Sequence, residues 1–135
     1  MGNGEVVRAF TAVGAKDIEK VWKKPSIQNA LASGELIESN LVSPSSVGLN
    51  DPWVTAMTHP LIPFISYPYE WTFSMLKDAA QLQLKLTRET LADGIGLKDA
   101  TPYNVQFIGS RPQFIDAGSF EKRRKGDPWY GYRQF

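Results

Sequence analysis

The chain has 135 residues, 42% of them hydrophobic and 21% charged, with a formal net charge of +1 at pH 7. That length suits one small domain, and the near-neutral charge gives no indication of a nucleic-acid or membrane partner. The lack of cysteine excludes disulfides and thiolate chemistry, and the single histidine, His59, excludes a multi-histidine metal site. No apolar run approaches the roughly 18 residues of a spanning helix, so we expect a cytoplasmic protein.

The first half of the chain predicts short elements joined by turns. Glu5–Phe10 is typical of a strand, and residues 15–24 of a helix. Pro25 suits the first turn of a second helix, which Gly34 would end. Further strands are expected over residues 35–42, 53–59 and 63–67, with a Ser/Pro-rich loop over 43–52.

The strongest helix signal covers residues 70–92. Two neighbouring stripes recur at steps of three and four: Phe73, Leu76, Ala80, Leu84, Thr87 and Leu91 on one, Met75, Ala79, Leu82 and Leu86 on the other. So wide an apolar surface predicts a central helix packed from two directions. A loop and a hairpin, 105–108 with 113–115, are expected to follow.

Three polar residues lie on this loop and just past the hairpin. Asp99 is followed by Asn104 five positions on, and Asp116 comes twelve positions after Asn104. A carboxylate accepts a hydroxyl proton, while carboxamide and carboxylate oxygens are ligands that Mg²⁺ accepts. Asp and Asn are also ordinary loop-bracing residues, so a purely structural role for Asp99 and Asn104 is the alternative.

The order and context of these residues resemble the catalytic core of the protein-kinase-like superfamily, which includes small-molecule phosphotransferases. The resemblance implies that Asp99 deprotonates a substrate hydroxyl and that Asn104 and Asp116 hold Mg²⁺ under the phosphates of ATP. It also implies an α+β fold, a reduced kinase-like domain over 1–135. Residues 1–69 would form a small N-terminal α/β portion with a hinge-like segment, and 70–135 the helix, catalytic loop and hairpin.

A second resemblance covers roughly residues 62–135. The segments IPFISYPYEW, over 62–71, and DPWYGYRQF, over 127–135, together with the loop, are similar to bacterial nodulation-protein-related sequences. Those longer proteins are described as S-adenosylmethionine-dependent methyltransferases. The resemblance implies a methyltransferase domain downstream, because this chain has no glycine-rich cofactor loop of its own.

At several positions the sequence lacks residues that kinases use for phosphate transfer. Leu97 stands where a histidine is usual, and Ala117 replaces the phenylalanine before Gly118. No glycine-rich phosphate loop precedes the long helix, and no lysine lies in a convincing strand. A missing phosphate-binding cation removes electrostatic stabilisation from the site.

Three functions remain open from the sequence. The favoured one is a degenerate or truncated kinase-like module that binds Mg²⁺ and ATP weakly. The alternatives are an ATP-dependent phosphotransferase acting on a small hydroxyl compound, and a non-catalytic accessory domain of a methyltransferase. His59, between Thr58 and Pro60, is expected to be a turn or packing residue.

Overall fold

Three antiparallel strands form the N-terminal sheet: β1 (Glu5–Phe10), β2 (Asn40–Val42) and β3 (Thr55–Pro60), in the order β1-β3-β2. The computed structural model describes residues 4–134, apart from the side chain of Tyr130. Arg8 pairs with Met57 and Val6 with His59. Because paired residues of an antiparallel sheet project from the same face and side chains alternate along a strand, Arg8, Met57 and His59 share one face.

Two helices follow β1 in the chain and contribute buried residues to the core. α1 (Ala12–Val21) buries Ala15, Ile18 and Val21, while α2 (Pro25–Ala32) starts at Pro25 as predicted. Gly34, at φ +74°, permits the left-handed turn that ends α2. The prediction for 15–24 was shifted, because α1 begins three residues earlier, after the extended Thr11.

Two strand predictions in this half were wrong. Of residues 35–42, only 40–42 form a strand; Leu36 makes an isolated parallel bridge with Phe114 instead. Residues 63–67 form no strand, since Pro63 and Pro68 limit backbone pairing there. The segment is held by the side chain of Gln106, which bonds the N–H and C=O of Ser66 at 3.0 and 2.9 Å.

The predicted long helix is present as α3 (Phe73–Ala92). Thr72 caps it by accepting a hydrogen bond from the Met75 N–H at 3.3 Å. Only one of the two predicted stripes is buried, through Ala79, Leu82 and Leu86. Phe73 and Leu84 of the other stripe are 82% and 51% exposed, so that stripe is not buried as expected, although α3 does belong to the core. At its end, Asp93 accepts a hydrogen bond from Ser26 N–H at 2.8 Å and so joins α3 to the start of α2.

Two small antiparallel pairs complete the fold. β5 (Val105–Ile108) and β6 (Arg111–Phe114) form the predicted hairpin, although β6 begins two residues before the expected start at Gln113 and ends one residue before the expected end at Ile115. β4 (Ile95–Leu97) pairs with β7 (Phe120–Lys122), a pair that the sequence pattern did not predict. The mixture of helices and small sheets confirms the α+β class. Phe114 and Phe120 are fully buried and meet edge to face, with ring centroids 5.6 Å apart.

Candidate functional site

Asp99 lies on the loop that follows β4, and its carboxylate is fixed on one oxygen. Oδ1 accepts hydrogen bonds from the Thr101 N–H at 3.1 Å and from Nε2 of Gln134 at 2.8 Å. Among residues 4–134, no donor meets Oδ2 of Asp99. The side chain is half-buried, so one carboxylate oxygen is braced and the other is available.

Asn104 ends a turn of 3₁₀ helix that begins at Pro102. Its Nδ2 donates to the backbone oxygen of Asp99 at 3.4 Å, and its own carbonyl accepts from the N–H of Ile115 at 2.8 Å. Because a carbonyl only accepts, Nδ2 must be the atom that faces Asp99. The structure therefore joins Asn104 to Asp99 on one side and to the residue before Asp116 on the other.

Asp116 lies two residues after β6, just past the hairpin as the sequence predicts, and forms an ion pair with Arg8 of β1. Its other oxygen accepts a hydrogen bond from the buried Ser119 hydroxyl. The side chains of Arg8 and Asp116 are 39% and 21% exposed. The pair connects the N-terminal sheet to the loop after the hairpin, so it lies between the two portions of the chain.

Arg8 is the site residue that sequence reasoning missed. A kinase-like strand would carry a lysine, whereas β1 carries an arginine between Val7 and Ala9. A cation between the apolar residues Val7 and Ala9 was the available signal. Gly118 lies directly beneath it: a Cβ built there would be 2.8 Å from Nη1 of Arg8. Glycine therefore lets the guanidinium approach the backbone next to Asp116.

The oxygen atoms of Asp99, Asn104 and Asp116 suit a magnesium–nucleotide only in part. Asn104 Oδ1, from one of the two predicted metal ligands, meets no hydrogen-bond donor among the described residues, which suits oxygen ligation. The Asp116 carboxylate is already bonded to Arg8 and Ser119, so a cation there competes with a guanidinium. In residues 4–134, no three His, Cys, Asp or Glu side chains gather as a metal site. The predicted set contains only two carboxylates.

His59 contributes a buried imidazole on the same sheet face as Arg8. Its Nδ1 is 2.9 Å from Ser39 Oγ and 3.3 Å from the Glu38 carbonyl oxygen. The Ser39 hydroxyl donates to the Ile37 carbonyl at 2.8 Å, so Nδ1 is the donor in both contacts. Nε2 is then unprotonated, buried and without a hydrogen-bond partner among the described residues.

Burial lowers the pKa of His59 from its ordinary value of 6.5, and the nearby Arg8 charge lowers this pKa further. The Glu38 carbonyl and the Asp116 charge act in the opposite direction. Because both charges of the ion pair act on His59, the imidazole belongs to the same electrostatic neighbourhood. The prediction of a packing role accounts for its burial but not for the fixed tautomer.

A separate cavity lies on the far side of α3. Its volume is about 340 Å³, and it is bounded by the outer face of α3, the β4–β7 pair and Trp129. Leu84 and Leu91, from the exposed stripe of α3, form its apolar wall. The cavity does not contain Asp99, Asn104 or Asp116.

Within residues 4–134, none of the helices combines the length and the hydropathy that crossing a bilayer requires.

Comparison with known proteins gives one clear relationship. The chain is 40% identical over 126 residues to the nodulation protein NoeA of Rhizobium meliloti (strain 1021). The alignment covers 93% of this chain and 26% of that protein, so the chain spans about a quarter of its relative. No family model matches, and no solved structure matches. The chain is therefore homologous to a nodulation protein, and its kinase-like character stays a prediction.

Proposed function

We propose that this domain is a reduced kinase-like module that binds a magnesium–nucleotide weakly, with Arg8 as its phosphate-binding cation. The observation that carries the proposal is the Arg8–Asp116 ion pair. It supplies the positive charge that no lysine in a kinase-like strand provides, and it brings that charge to the predicted metal-binding carboxylate.

Each of the four residues has its own role in this proposal. Asn104 Oδ1 and Asp116 present oxygen atoms, while Asp99 is braced for contact with a hydroxyl group. The bound metal ion would neutralise phosphate charge. Arg8 holds Asp116 when no nucleotide is bound and offers its guanidinium donors to a phosphate when one is. Since Arg8 must leave one anion to meet the other, we expect weak affinity.

Calorimetric titration of the folded protein with ATP and Mg²⁺ tests this proposal. We expect saturable binding with a dissociation constant on the order of 1 mM or lower. Arg8→Leu should weaken binding by roughly tenfold or more, because a charge-assisted contact to phosphate is lost. Asp116→Asn should remove the dependence on Mg²⁺.

Two variants serve as matched controls. Arg111→Leu removes a guanidinium from the exposed start of β6, and Asp78→Asn removes a carboxylate from the exposed side of α3. Neither should alter nucleotide affinity. No heat at millimolar nucleotide, with a normal thermal transition, would refute the proposal.

A phosphotransferase acting on a small hydroxyl compound is the second candidate. It is favoured by the unbonded Oδ2 of Asp99, which is the atom that a general base requires. Asp99→Asn should then abolish phosphate transfer while leaving nucleotide binding intact. If a measured transfer rate were unchanged in Asp99→Asn, this candidate would be wrong.

The similarity to NoeA favours a third role, as one domain of a longer protein, because only about a quarter of that relative is matched. The downstream methyltransferase that the sequence resemblance implies stays a prediction. Binding of S-adenosylmethionine to the longer protein, and its absence in residues 1–135 alone, would support an accessory role.

A further inference from the structure

The side chain of Gln134 closes two hydrogen bonds on the loop that carries Asp99. Its Nε2 donates to Asp99 Oδ1 at 2.8 Å, and its Oε1 accepts from the Ala100 N–H at 2.8 Å. A carboxylate only accepts and a backbone N–H only donates, so just one orientation of the amide satisfies both contacts. The Gln134 amide is therefore fixed by its partners.

Both donors to the Asp99 carboxylate reach the same oxygen. Thr101 N–H and Gln134 Nε2 meet Oδ1, and no described residue donates to Oδ2. A carboxylate held through one oxygen keeps its lone pairs on the other oxygen in a fixed direction. Such an arrangement suits a base that must meet a hydroxyl in one orientation.

Close packing holds Gln134 in place. Its own N–H donates to the carbonyl of Gly131 at 3.1 Å. Gly131 is buried against Ala100, where an added Cβ would lie 2.9 Å from the Ala100 Cβ. Ala100 is itself 1% exposed. The turn over Tyr130–Arg133 thus places Gln134 beside the loop. Only glycine at position 131 permits the close contact with Ala100.

We propose that Gln134 is a positioning residue that orients Asp99 so that Oδ2 faces an incoming hydroxyl. The proposal rests on the proposed function in its phosphotransferase form. With water as the hydroxyl, the water oxygen bonds to the γ-phosphorus of the nucleoside triphosphate and its proton passes to Asp99 Oδ2. The bond to the bridging oxygen breaks, and its electron pair leaves with the diphosphate.

Steady-state hydrolysis of ATP with Mg²⁺ tests the role of Gln134 in the full chain. In Gln134→Leu, kcat should fall at least tenfold while KM for ATP stays within about twofold, because the base is misaligned but the phosphate contacts remain. Loss of folded protein would also lower the apparent kcat without changing KM, so kcat is calculated per folded molecule, with the folded fraction measured by circular dichroism. Unchanged kcat in a folded Gln134→Leu protein would overturn the proposal.

Gln134→Glu provides a second variant that keeps the loop in place. Its carboxylate still accepts from the Ala100 N–H, but it faces Asp99 with a like charge. The acid limb of the pH–rate profile should therefore move to higher pH, whereas Lys98→Gln, an exposed change on the same loop, should leave the profile unaltered. An unshifted profile in Gln134→Glu would contradict the proposal.

Different results would refute nucleotide binding and the positioning role of Gln134. If ATP binds to the wild-type protein but is never hydrolysed, the positioning role of Gln134 is refuted and the nucleotide-binding proposal stands. If ATP does not bind at all, the proposed function itself is refuted, and the role of Gln134 falls with it.

Discussion

His59 shows how much a single residue's surroundings can determine. The residue type and its place before Pro60 indicate a turn or packing residue, and the imidazole is indeed buried. The sequence could not reveal that Ser39 and the Glu38 carbonyl fix the Nδ1–H tautomer, because these partners come from a different part of the chain. Burial then makes the neutral form the favoured one in the folded state.

The lowered pKa of His59 predicts a dependence of stability on pH. The unfolded chain binds a proton near pH 6.5, whereas the folded protein binds it only at lower pH. The contribution of neutral His59 to the free energy of unfolding is therefore fully present above about pH 6.5. It decreases as the pH falls towards the folded-state pKa. Thermal melts between about pH 7.5 and 5.5 should show a falling Tm in the wild type.

His59→Asn is the control for this effect. The asparagine amide nitrogen can replace the Nδ1 donor to Ser39, but it does not titrate. Its Tm should vary less over the same range. An equal loss of Tm in both proteins would assign the pH dependence to other groups.

Gly118→Ala tests the approach of Arg8 to Asp116. The new methyl group would meet the end of a flexible side chain, Nη1 of Arg8, at 2.8 Å. The guanidinium can move aside, so the free energy of unfolding should change little, by about 1 kcal/mol or less. Nucleotide affinity should nevertheless change, as calorimetry would show. Gly96→Ala is the matched control, because its Cβ would come no nearer than 3.8 Å to Arg123 and Gly96, like Gly118, has no positive φ.

At the scale of elements, α3 was predicted within three residues at its start and correctly at its end. Its period and length come from local sequence, and a helix of 20 residues carries a strong signal. Which stripe is buried depends on what packs against it, and that is not a local property. Leu84 and Leu91 repeat as regularly as Leu82 and Leu86, yet they face the cavity beside Trp129.

Alanine substitutions on α3 should distinguish these stripes. Leu86 is 1% exposed, so Leu86→Ala should cost about 2–5 kcal/mol through lost burial and a cavity. Leu84 is 51% exposed, and Leu84→Ala should change stability by no more than about 0.5 kcal/mol. Urea denaturation measures both values. A similar loss in both variants would show that the outer stripe is also covered.

Short strands were predicted less well than helices. β1 was predicted with its observed bounds, and the hairpin was predicted in the right place except that its second strand begins at Arg111 rather than at Gln113. The β4–β7 pair joins Ile95 to Lys122 across 27 positions of the chain. Strands of three residues have too little pattern to be seen before their partner is known.

For the molecule as a whole, one apolar core contains residues from both sides of the expected division between residues 69 and 70. Ile18 and Met57 from the N-terminal portion belong to the same buried cluster as Leu86 and Phe120. Phe114 bonds through its backbone to Glu35 and Ile37 at 2.8 and 2.9 Å. The candidate site likewise draws Arg8 from one portion and Asp116 from the other, which explains why sequence order alone predicted the carboxylate but not its cation.

This shared core predicts that the chain unfolds in one cooperative step. Fluorescence from the tryptophans and far-ultraviolet circular dichroism should give coincident urea transitions. Peptides covering 1–69 and 70–135 should be unfolded when separate, because each would expose half of the common core. Two resolved transitions, or a folded isolated piece, would contradict this expectation.

The two portions are joined in chemically different ways at different places. Near Leu36 and Phe114 the junction is buried and apolar, whereas at Arg8 and Asp116 it is ionic and partly exposed. Dissolved salt weakens attraction between exposed charges far more than it weakens apolar burial. A rising ionic strength should therefore weaken the junction at Arg8 and Asp116 while leaving the one at Leu36 and Phe114 intact.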